Sequence, residues 1–529
     1  MNTKTKTKIL TLIITLCASI NGVFAVTNNN APTVKIIAPK IKMPPLQKPV
    51  PENKNTINNK AKQAPKKKVA EHKIAEKKVP EKDTTTIQRA TVKKIDLSFE
   101  QAYELMMANN NAIKACVEEI NEKKYLKKSA FGEHFPKVGI NSTYTHLSDP
   151  VEVRSQSMSV PVLGSLNTPA IGLQDENMWS LNVGAVWNVF TGGKIMALNS
   201  AARAKLEGTN NKYKSLTNDL TVELVKRYFG LKMAQQVVVV RQQVLDTTKK
   251  HLSDAKKLEA AGIIARSERL HAEVAYAQAK RNYEASMRDE AVVQEGLKTL
   301  IKSDKVGDLD DIEIYPSTDL FVYKDEFLEL NEFKQIAIKN NPGLKQLEVK
   351  KKLAQANYKS KVANYYPTVS LFAYDIPASN DLSYLMPRWQ IGAMANWTLF
   401  DGLSRYNNVK AADSVRKQVK FEQIDATNNI SSLVTKNYEE LMKYKEEYES
   451  TTKSIESANE ALRVSMCAFE EGMGTSLSVT DAQTALLGEK ITRLNSIYNY
   501  DITLSDLLRT NGTSEKILEY IKNSKHEKL

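Results

Sequence analysis

The side chains that could carry out chemistry are few in this chain, and their spacing forms no catalytic or metal-binding group. Six histidines are scattered along 529 residues, and none lies at metal-ligand spacing from another histidine, a cysteine or an acidic cluster. A glycine-rich phosphate loop and a serine nucleophile elbow are also missing from the sequence. We therefore predict a protein that is not an enzyme, with no cofactor and no metal, and with its histidines at the surface. These are His72, His134, His146, His251, His271 and His526.

Residues 1–25 have the pattern of a signal peptide. Three lysines precede an apolar run over residues 9–20, and Val-Phe-Ala at residues 23–25 is an acceptable cleavage site. The apolar run is too short to span a membrane comfortably as an anchor. Lipidation at Cys17 is an alternative, although the preceding Leu16 stands where a small residue is wanted. We predict an exported protein.

The basic charge of the chain is concentrated near its N-terminus. Residues 26–94 contain 17 Lys and Arg against 5 acidic residues, and eight prolines. This composition cannot form a core and predicts a disordered Lys/Pro-rich linker, either a spacer or a tether to an anionic surface. Of the net charge of +14, the signal peptide carries +3 and the linker +12, so the remainder is close to neutral. We therefore predict no nucleic-acid partner.

The rest of the chain contains two copies of one pattern. Motifs near residue 109 recur 231 residues later, and motifs from residue 179 onward recur 210 residues later. The offset changes once, so a single loop is longer in the first copy. We predict an internal two-fold repeat, with copies over 95–320 and 321–512 and a C-terminal tail over 513–529. Pairs at the second offset are Trp179 and Trp389, Trp187 and Trp397, Phe190 and Phe400, Gly192 and Gly402, Tyr228 and Tyr438, Gly262 and Gly472, and Leu297 and Leu507.

Long stretches without helix breakers predict that the fold is mainly α with a small β part. Residues 192–262 and 402–472 each form such a stretch, which as a helix would reach roughly 105 Å. A shorter helix over about 109–135 and a returning helix over about 263–301 would match that length if they were stacked end to end. Apolar residues at coiled-coil spacing in the first long stretch are Leu224, Tyr228 and Leu231.

Each copy also contains two stretches of alternating polarity, which predict strands. They cover residues 138–144 and 179–189 in the first copy, joined by a loop over about 149–178, and residues 369–374 and 389–400 in the second. Aromatic ends and a length of about 9–12 residues fit tilted membrane strands, and an ordinary soluble hairpin is the alternative. Four strands cannot close a barrel, and open edges cannot face lipid. Several chains must therefore contribute to one barrel.

Several motifs together resemble the TolC-like outer-membrane efflux proteins. The stretches LSFEQAYELMMANNNAIKA…EHFP over 97–136 and LELNEFKQIAIKNNPGLKQ…NYYP over 328–367 are similar to the repeated opening motif of that family. Phe-Thr-Gly-Gly at residues 190–193 and Phe-Asp-Gly at 400–402 resemble its strand-to-helix turn. The segment from Gly472 into the following helix resembles its periplasmic tip. The match covers roughly residues 95–510.

The resemblance implies a homotrimer located in the cell outer membrane and extending into the periplasm. Its fold would be a long coiled-coil helical barrel plus a transmembrane β-barrel shared between three chains. The function implied is that of an outer-membrane channel subunit of a tripartite efflux or type I secretion system. Its partners would be a periplasmic adaptor protein, an inner-membrane transporter and outer-membrane lipid. A periplasmic coiled-coil adaptor and a structural envelope protein are the alternatives; the former would carry small β-domains, and the latter would lack the paired aromatic strands.

The resemblance also assigns roles at the tip, position by position. The pore constriction falls at Asp481 and Ser478, of which only the aspartate keeps the family's carboxylate. Glu268 matches an acidic position that ties neighbouring helices, whereas the tyrosine and arginine of the family's ties are replaced by Phe469 and Gly474. The tie is therefore expected to be altered here. The tip turns are expected at Gly262 and Gly472.

Overall fold

The computed structural model describes residues 93–153, 157–160, 164–167, 171–301, 312–323, 328–380 and 387–526. The predicted signal peptide lies outside the described residues. The predicted linker lies outside them as well, except for its last two residues, Lys93 and Lys94, which belong to a strand. The described chain is mainly helical with a small β part, as predicted.

The first copy of the repeat consists of β1 (Lys93–Leu97), α1 (Phe99–Asn109), α2 (Asn111–Gly132), β2 (Lys137–His146), β3 (Val151–Val153), β4 (Ser157–Val160), β5 (Gly164–Asn167), β6 (Ile171–Gln174), β7 (Asn177–Phe190), α3 (Lys194–Ala260), α4 (Arg266–Ile301) and β8 (Ile312–Pro316). The second copy and the segment after it consist of β9 (Phe321–Tyr323), α5 (Leu330–Asn340), α6 (Pro342–Ala363), β10 (Thr368–Ser379), β11 (Trp389–Asn396), α7 (Ser404–Glu470), α8 (Ser476–Thr510), a 3₁₀ turn (Ser514–Lys516), α9 (Ile517–Lys522) and β12 (Ser524–His526).

The predicted internal repeat is confirmed in the bounds of the elements. Helices α2 and α6 have 22 residues each and begin 231 positions apart. The long helices α3 and α7 have 67 residues each, begin 210 positions apart and reach roughly 100 Å. None of the described helices is long and apolar enough to cross a membrane.

The short helices stack end to end on the returning helices, as the length comparison predicted. Asn110 caps α2 and also donates its side-chain amide to the carbonyl of Leu300, near the end of α4, over 3.4 Å. Asn341 caps α6 and donates in the same way to the carbonyl of Thr510, at the end of α8, over 2.8 Å. The two junctions are thus equivalent in the two copies. Helix α2 ends at Gly132, so it is shorter than the stretch of about 109–135 used in the length comparison.

The four predicted strands form one antiparallel sheet with the order β11-β10-β7-β2. Strand β10 runs to Ser379, through Pro377, which the sequence placed in a loop. The register against β7 shifts between Asp375 and Ala378, and this irregularity accommodates a residue that has no N–H to donate. The predicted long loop of the first copy contains the short pairs β3–β6 and β4–β5.

Strand β11 ends at Asn396, four residues before the predicted end at Phe400. The indole of Trp397 donates to the carbonyl of Tyr365, at 3.1 Å, and this bond directs the chain toward the end of α6. Trp187 makes the equivalent bond to the carbonyl of His134 at 2.8 Å in the first copy. The paired tryptophans therefore anchor the sheet to the short helices.

An aromatic core packs where the helices meet the small β pairs. Phe99 packs edge-on against Tyr228 and stacks on Phe229, with ring centroids 5.4 and 5.5 Å apart. The Tyr228 hydroxyl donates to the carbonyl of Leu97 and accepts from the amide of Thr318. All three residues predicted at coiled-coil spacing are fully buried, so this part of α3 packs as expected. They are Leu224, Tyr228 and Leu231.

The turn between β7 and α3 sets a strict size limit. Gly192 has φ of 60°, and a Cβ there would lie 2.5 Å from the carbonyl oxygen of Ala363 and 2.8 Å from Cβ of Tyr366. We predict that Gly192→Ala lowers the free energy of unfolding by about 2–4 kcal/mol, since left-handed strain adds to overpacking. Chemical unfolding in detergent, followed by circular dichroism, measures the loss.

Gly262→Ala is the matched control for this substitution. Gly262 has φ of 72°, and no atom lies within 4 Å of a Cβ built there. In this variant the free energy of unfolding should fall only by the left-handed backbone strain, which is about 1–2 kcal/mol. Equal losses in the two variants would show that the contact between Gly192 and the end of α6 contributes nothing.

Candidate functional site

Both helix pairs reverse at one end through short turns, and the predicted turn glycines lie there. Gly262 and Gly472 have φ of 72° and 73°, a conformation that favours glycine. In the first turn, the amide of Ile263 donates to the carbonyl of Leu258 over 2.9 Å, which closes the end of α3. The amide of Met473 makes the equivalent bond to Ala468 over 2.9 Å.

The two turns pack against each other. A Cβ at Gly472 would lie 2.8 Å from Cγ2 of Ile263, so the second turn accepts the side chain of the first. Behind the turns, a small apolar cluster joins the four helices that end there, α3, α4, α7 and α8. The buried members of this tip cluster are Leu252, Ala255, Ala272, Phe469 and Val479.

Phe469 and Gly474, which the resemblance placed at the tie positions, have steric roles in this turn. The Phe469 ring is 1% exposed and lies inside the tip cluster. A Cβ at Gly474 would lie 2.9 Å from the amide nitrogen of Phe469 and 3.1 Å from the carbonyl carbon of Ala468. The arginine that the family resemblance would place at this position therefore has no room in the present turn.

Glu268, which the resemblance placed at a position that ties neighbouring helices, makes a polar contact with a backbone group. Its carboxylate accepts a hydrogen bond from the amide of Ser476 over 2.6 Å. Ser476 is the first residue of α8, and Glu268 lies in the first turn of α4. The bond therefore crosses from the first copy of the repeat to the second, at a helix N-terminus that favours negative charge.

His251 contradicts the expectation that the histidines lie at the surface. Its side chain is buried, its Nε2 lies 2.7 Å from Oγ of Ser476, and its ring lies 4.5 Å from that of Phe469. Burial lowers the pKa of the imidazole below its ordinary value, while Asp254 and Glu268 act in the opposite direction. The helical periodicity that buries Leu252 and Ala255 on α3 was the signal that could have placed this residue inward.

The two residues predicted at the pore constriction lie on the exposed side of α8. Asp481 is exposed. Ser478 is also exposed, and its hydroxyl donates to the carbonyl of Thr475 over 2.7 Å. Its amide in turn donates to the Thr475 hydroxyl, so Ser478 takes part in the cap of α8.

Within the described ranges, no group of three or more His, Cys, Asp or Glu residues is placed to hold a metal ion.

We predict that Glu268→Ala loosens the second turn without unfolding the chain. The substitution leaves the Ser476 amide without its charged acceptor, a loss of about 1.5–3 kcal/mol locally. Amide hydrogen exchange at residues 474–478 should then accelerate by about tenfold or more. Glu273→Ala, on the same helix and paired with Arg269 near the surface, is the control and should leave this exchange unchanged. Unaltered exchange in Glu268→Ala would contradict a stabilising role for the bond.

Solved structures share this arrangement at low sequence identity. The outer membrane protein VceC of Vibrio cholerae has a TM-score of 0.63 and 13% identity, covering 78% of this chain and 96% of that one. The outer membrane channel CmeC of Campylobacter jejuni has a TM-score of 0.64 and 14% identity, with coverage of 80% and 89%. The MtrE outer membrane channel of Neisseria gonorrhoeae, in its open state, has a TM-score of 0.62 and 16% identity, with coverage of 79% and 89%. At these identities the likeness establishes the fold.

A search of curated proteins found no match. The sequence model of the family described as "Outer membrane efflux protein" matches residues 102–301 and 334–513, which correspond to the two copies of the repeat and make up more than half of the chain. The chain therefore belongs to the outer membrane efflux protein family, and it is an efflux channel protein of the outer membrane that extends into the periplasm.

Proposed function

We propose that this chain is the outer-membrane channel subunit of a tripartite efflux or type I secretion system. Three copies would form one tunnel, with the sheets in the outer membrane and the helices in the periplasm. The chain would act in transport and not as an enzyme. The observation that carries the proposal is that the outer strands of the sheet, β2 and β11, each have one edge without a partner in the described part of the chain. Pairing between the two copies, within the same chain, already joins two such edges.

The contact between the two copies within one chain provides a template for the contact between chains. Strand β7 of the first copy pairs with β10 of the second. The turn at Gly192 packs on Ala363, and Lys352 forms an ion pair with Glu207 at 2.6 Å, joining α6 to α3. If the two-fold repeat extends around a ring, β11 of one chain pairs with β2 of the next, and α7 packs against α2 of the next.

The surfaces that this arrangement would join are apolar and exposed in the single chain. On β2 and β11, Val138 is 71% exposed and Ile391 is 76% exposed. Such side chains would contact the next copy or outer-membrane lipid, and burying them is favourable at roughly 25 cal/mol per Å². Further exposed large apolar residues on these strands, on the adjoining turns and on α2 and α7 are Phe131, Phe135, Ile140, Trp389, Trp397, Phe400 and Phe421.

Closure also satisfies the backbone groups of the two edge strands. An unpaired strand edge exposed to lipid leaves N–H and C=O groups without partners, which costs several kcal/mol per group. Three chains of four strands would give one closed sheet of twelve. The number three comes from the family resemblance, and the closure from the pairing of edges.

The remaining partners follow from this placement. The reversal end of the helices would face a periplasmic adaptor protein and an inner-membrane transporter. No nucleic-acid partner is proposed, because the excess positive charge belongs to residues 1–94. The alternatives from the sequence were an adaptor and a structural envelope protein. Neither function would require a four-stranded sheet with two apolar edges.

We predict that Gly402→Ala impairs trimer formation although the added methyl group would meet no neighbour among the described residues of the single chain. Its φ is 65°, and no atom lies within 4 Å of a Cβ built there. Gly402 corresponds to Gly192, so in a ring its Cβ would clash with the position equivalent to Ala363, which is Gly132 of the next copy. Light scattering of the detergent-extracted protein should show three chains for the parent and a markedly reduced trimer fraction for the variant.

Gly262→Ala is again the control, because it has the same left-handed strain without a predicted neighbour. It should assemble like the parent. A parent protein that remains monomeric, or a Gly402→Ala variant that assembles as fully as the control, would contradict the ring.

We also predict that Asp481→Asn reduces cation selectivity and weakens block by multivalent cations in planar-bilayer recordings. Three copies of this exposed carboxylate near the tunnel axis would attract cations. Trimer stability should change little, since a solvated carboxylate contributes little to folding. The control is Glu284→Gln, another exposed acid but on α4 and far along the chain from the turn. If conductance, selectivity and block all match the parent, Asp481 does not face the constriction.

A further inference from the structure

A contact between a histidine and a serine joins the two copies of the repeat at the tip. His251 comes from α3 in the first copy, and Ser476 begins α8 in the second. The two polar atoms lie 2.7 Å apart, and the amide of the same serine donates to Glu268 on α4. One residue of the second copy is therefore held by two helices of the first.

The contact is buried. His251 is 4% exposed and Ser476 is fully buried. The Phe469 ring of α7 covers the imidazole at 4.5 Å between centroids. A polar pair in such a site stabilises the packed arrangement only while its hydrogen bond is made, since a buried polar group without a partner has lost its hydration with nothing in exchange.

The charged groups that face His251 are acidic and few. Asp254 lies on the same helix, and Glu268 lies on α4. From α7 comes the ring of Phe469, and from α8 the hydroxyl of Ser476. Nearer the surface, Lys250 and Glu470 link α3 to α7 at 3.9 Å, so they add no net charge.

We propose that the contact between His251 and Ser476 is a proton-sensitive tie, which holds the two tip turns together while His251 is neutral and loosens them when it is protonated. The proposal rests on the proposed function for its consequence, because only in a channel that ends at this tip would loosening the turns widen the passage. The tie itself is a property of the chain.

The direction of the pH effect follows from burial. The neutral imidazole satisfies Ser476 in either tautomer, accepting from or donating to the hydroxyl. A buried imidazolium loses hydration, and this loss outweighs the attraction of Asp254 and Glu268, so the pKa in the closed tip is lowered. Above the ordinary value of 6.5 the histidine is neutral in both states. As the pH falls below that value, the loosened tip binds the proton and the closed tip does not, so the closed tip loses stability.

The test compares the tip at about pH 7.5 and about pH 5 in the intact, detergent-extracted protein. Amide exchange of residues 466–483, corrected for its intrinsic pH dependence, should accelerate markedly on acidification, because the loosened tip takes up a proton that the closed tip does not. His251→Gln and His251→Asn remove the titration and should abolish this acceleration, and two variants protect the test against a failure of either to fold. His271→Gln, at an exposed position on α4, should keep the acceleration of the parent. Equal acceleration in the parent and the folded His251 variants would overturn the tie.

Conductance in planar bilayers separates this proposal from the proposed function. Acidification should raise the single-channel conductance of the parent and of His271→Gln, but not that of the His251 variants. If the protein conducts but amide exchange at its tip does not depend on pH, the proposed tie is wrong and the proposed channel function stands. Tip exchange that depends on His251 in a protein without conductance supports the tie and overturns the channel.

Discussion

The hydrogen bonding of the sheet edges is the constraint on which the rest of the architecture depends. The main sheet has four strands, and its two outer strands, β2 and β11, each have one side without a hydrogen-bonded strand among the described residues. A backbone edge in a membrane must be paired, and large exposed apolar side chains line these edges. In the proposed ring, pairing them with further copies would also fix the positions of the helices, because Trp187 and Trp397 bond each hairpin to the end of a short helix.

Duplication has kept the geometry of the two copies while their chemistry has diverged. Helices α2 and α3 are joined by Glu119 and Lys212 at 2.7 Å, and α6 and α7 by Lys350 and Glu422 at 2.6 Å. These are equivalent positions with the charges reversed. Divergence is greater at the tip, where the position of Glu268 in the first copy is occupied by Ser478 in the second. The carboxylate that accepts a hydrogen bond from the amide of Ser476 is therefore present in one copy, and a hydroxyl group takes its place in the other.

The features that repeat along the sequence could be predicted, and those that depend on contacts between copies could not. The two offsets fixed the long helices to within a few residues and located both reversals, because glycine at positive φ marks a turn in any context. The passage of β10 through Pro377 depends on a register shift against β7, which no local pattern announces. The burial of His251 depends on Phe469 and Ser476, more than 200 residues away in the chain. The sequence of one chain predicts which residues form contact surfaces, but it does not identify the elements that pack on those surfaces.

Because of the end-to-end junctions at Asn110 and Asn341, the two helices of each pair differ in how they transmit force. Helices α3 and α7 are continuous from the sheet to the tip, whereas α4 and α8 meet the helices above them across side-chain hydrogen bonds. A pull at the tip is therefore carried by the covalent backbone in one helix of each pair and by a non-covalent joint in the other. Movement of a returning helix at this joint would also disturb its buried upper end, where Leu300 of α4 and Leu508 of α8 pack into the same core as Phe99 and Tyr228.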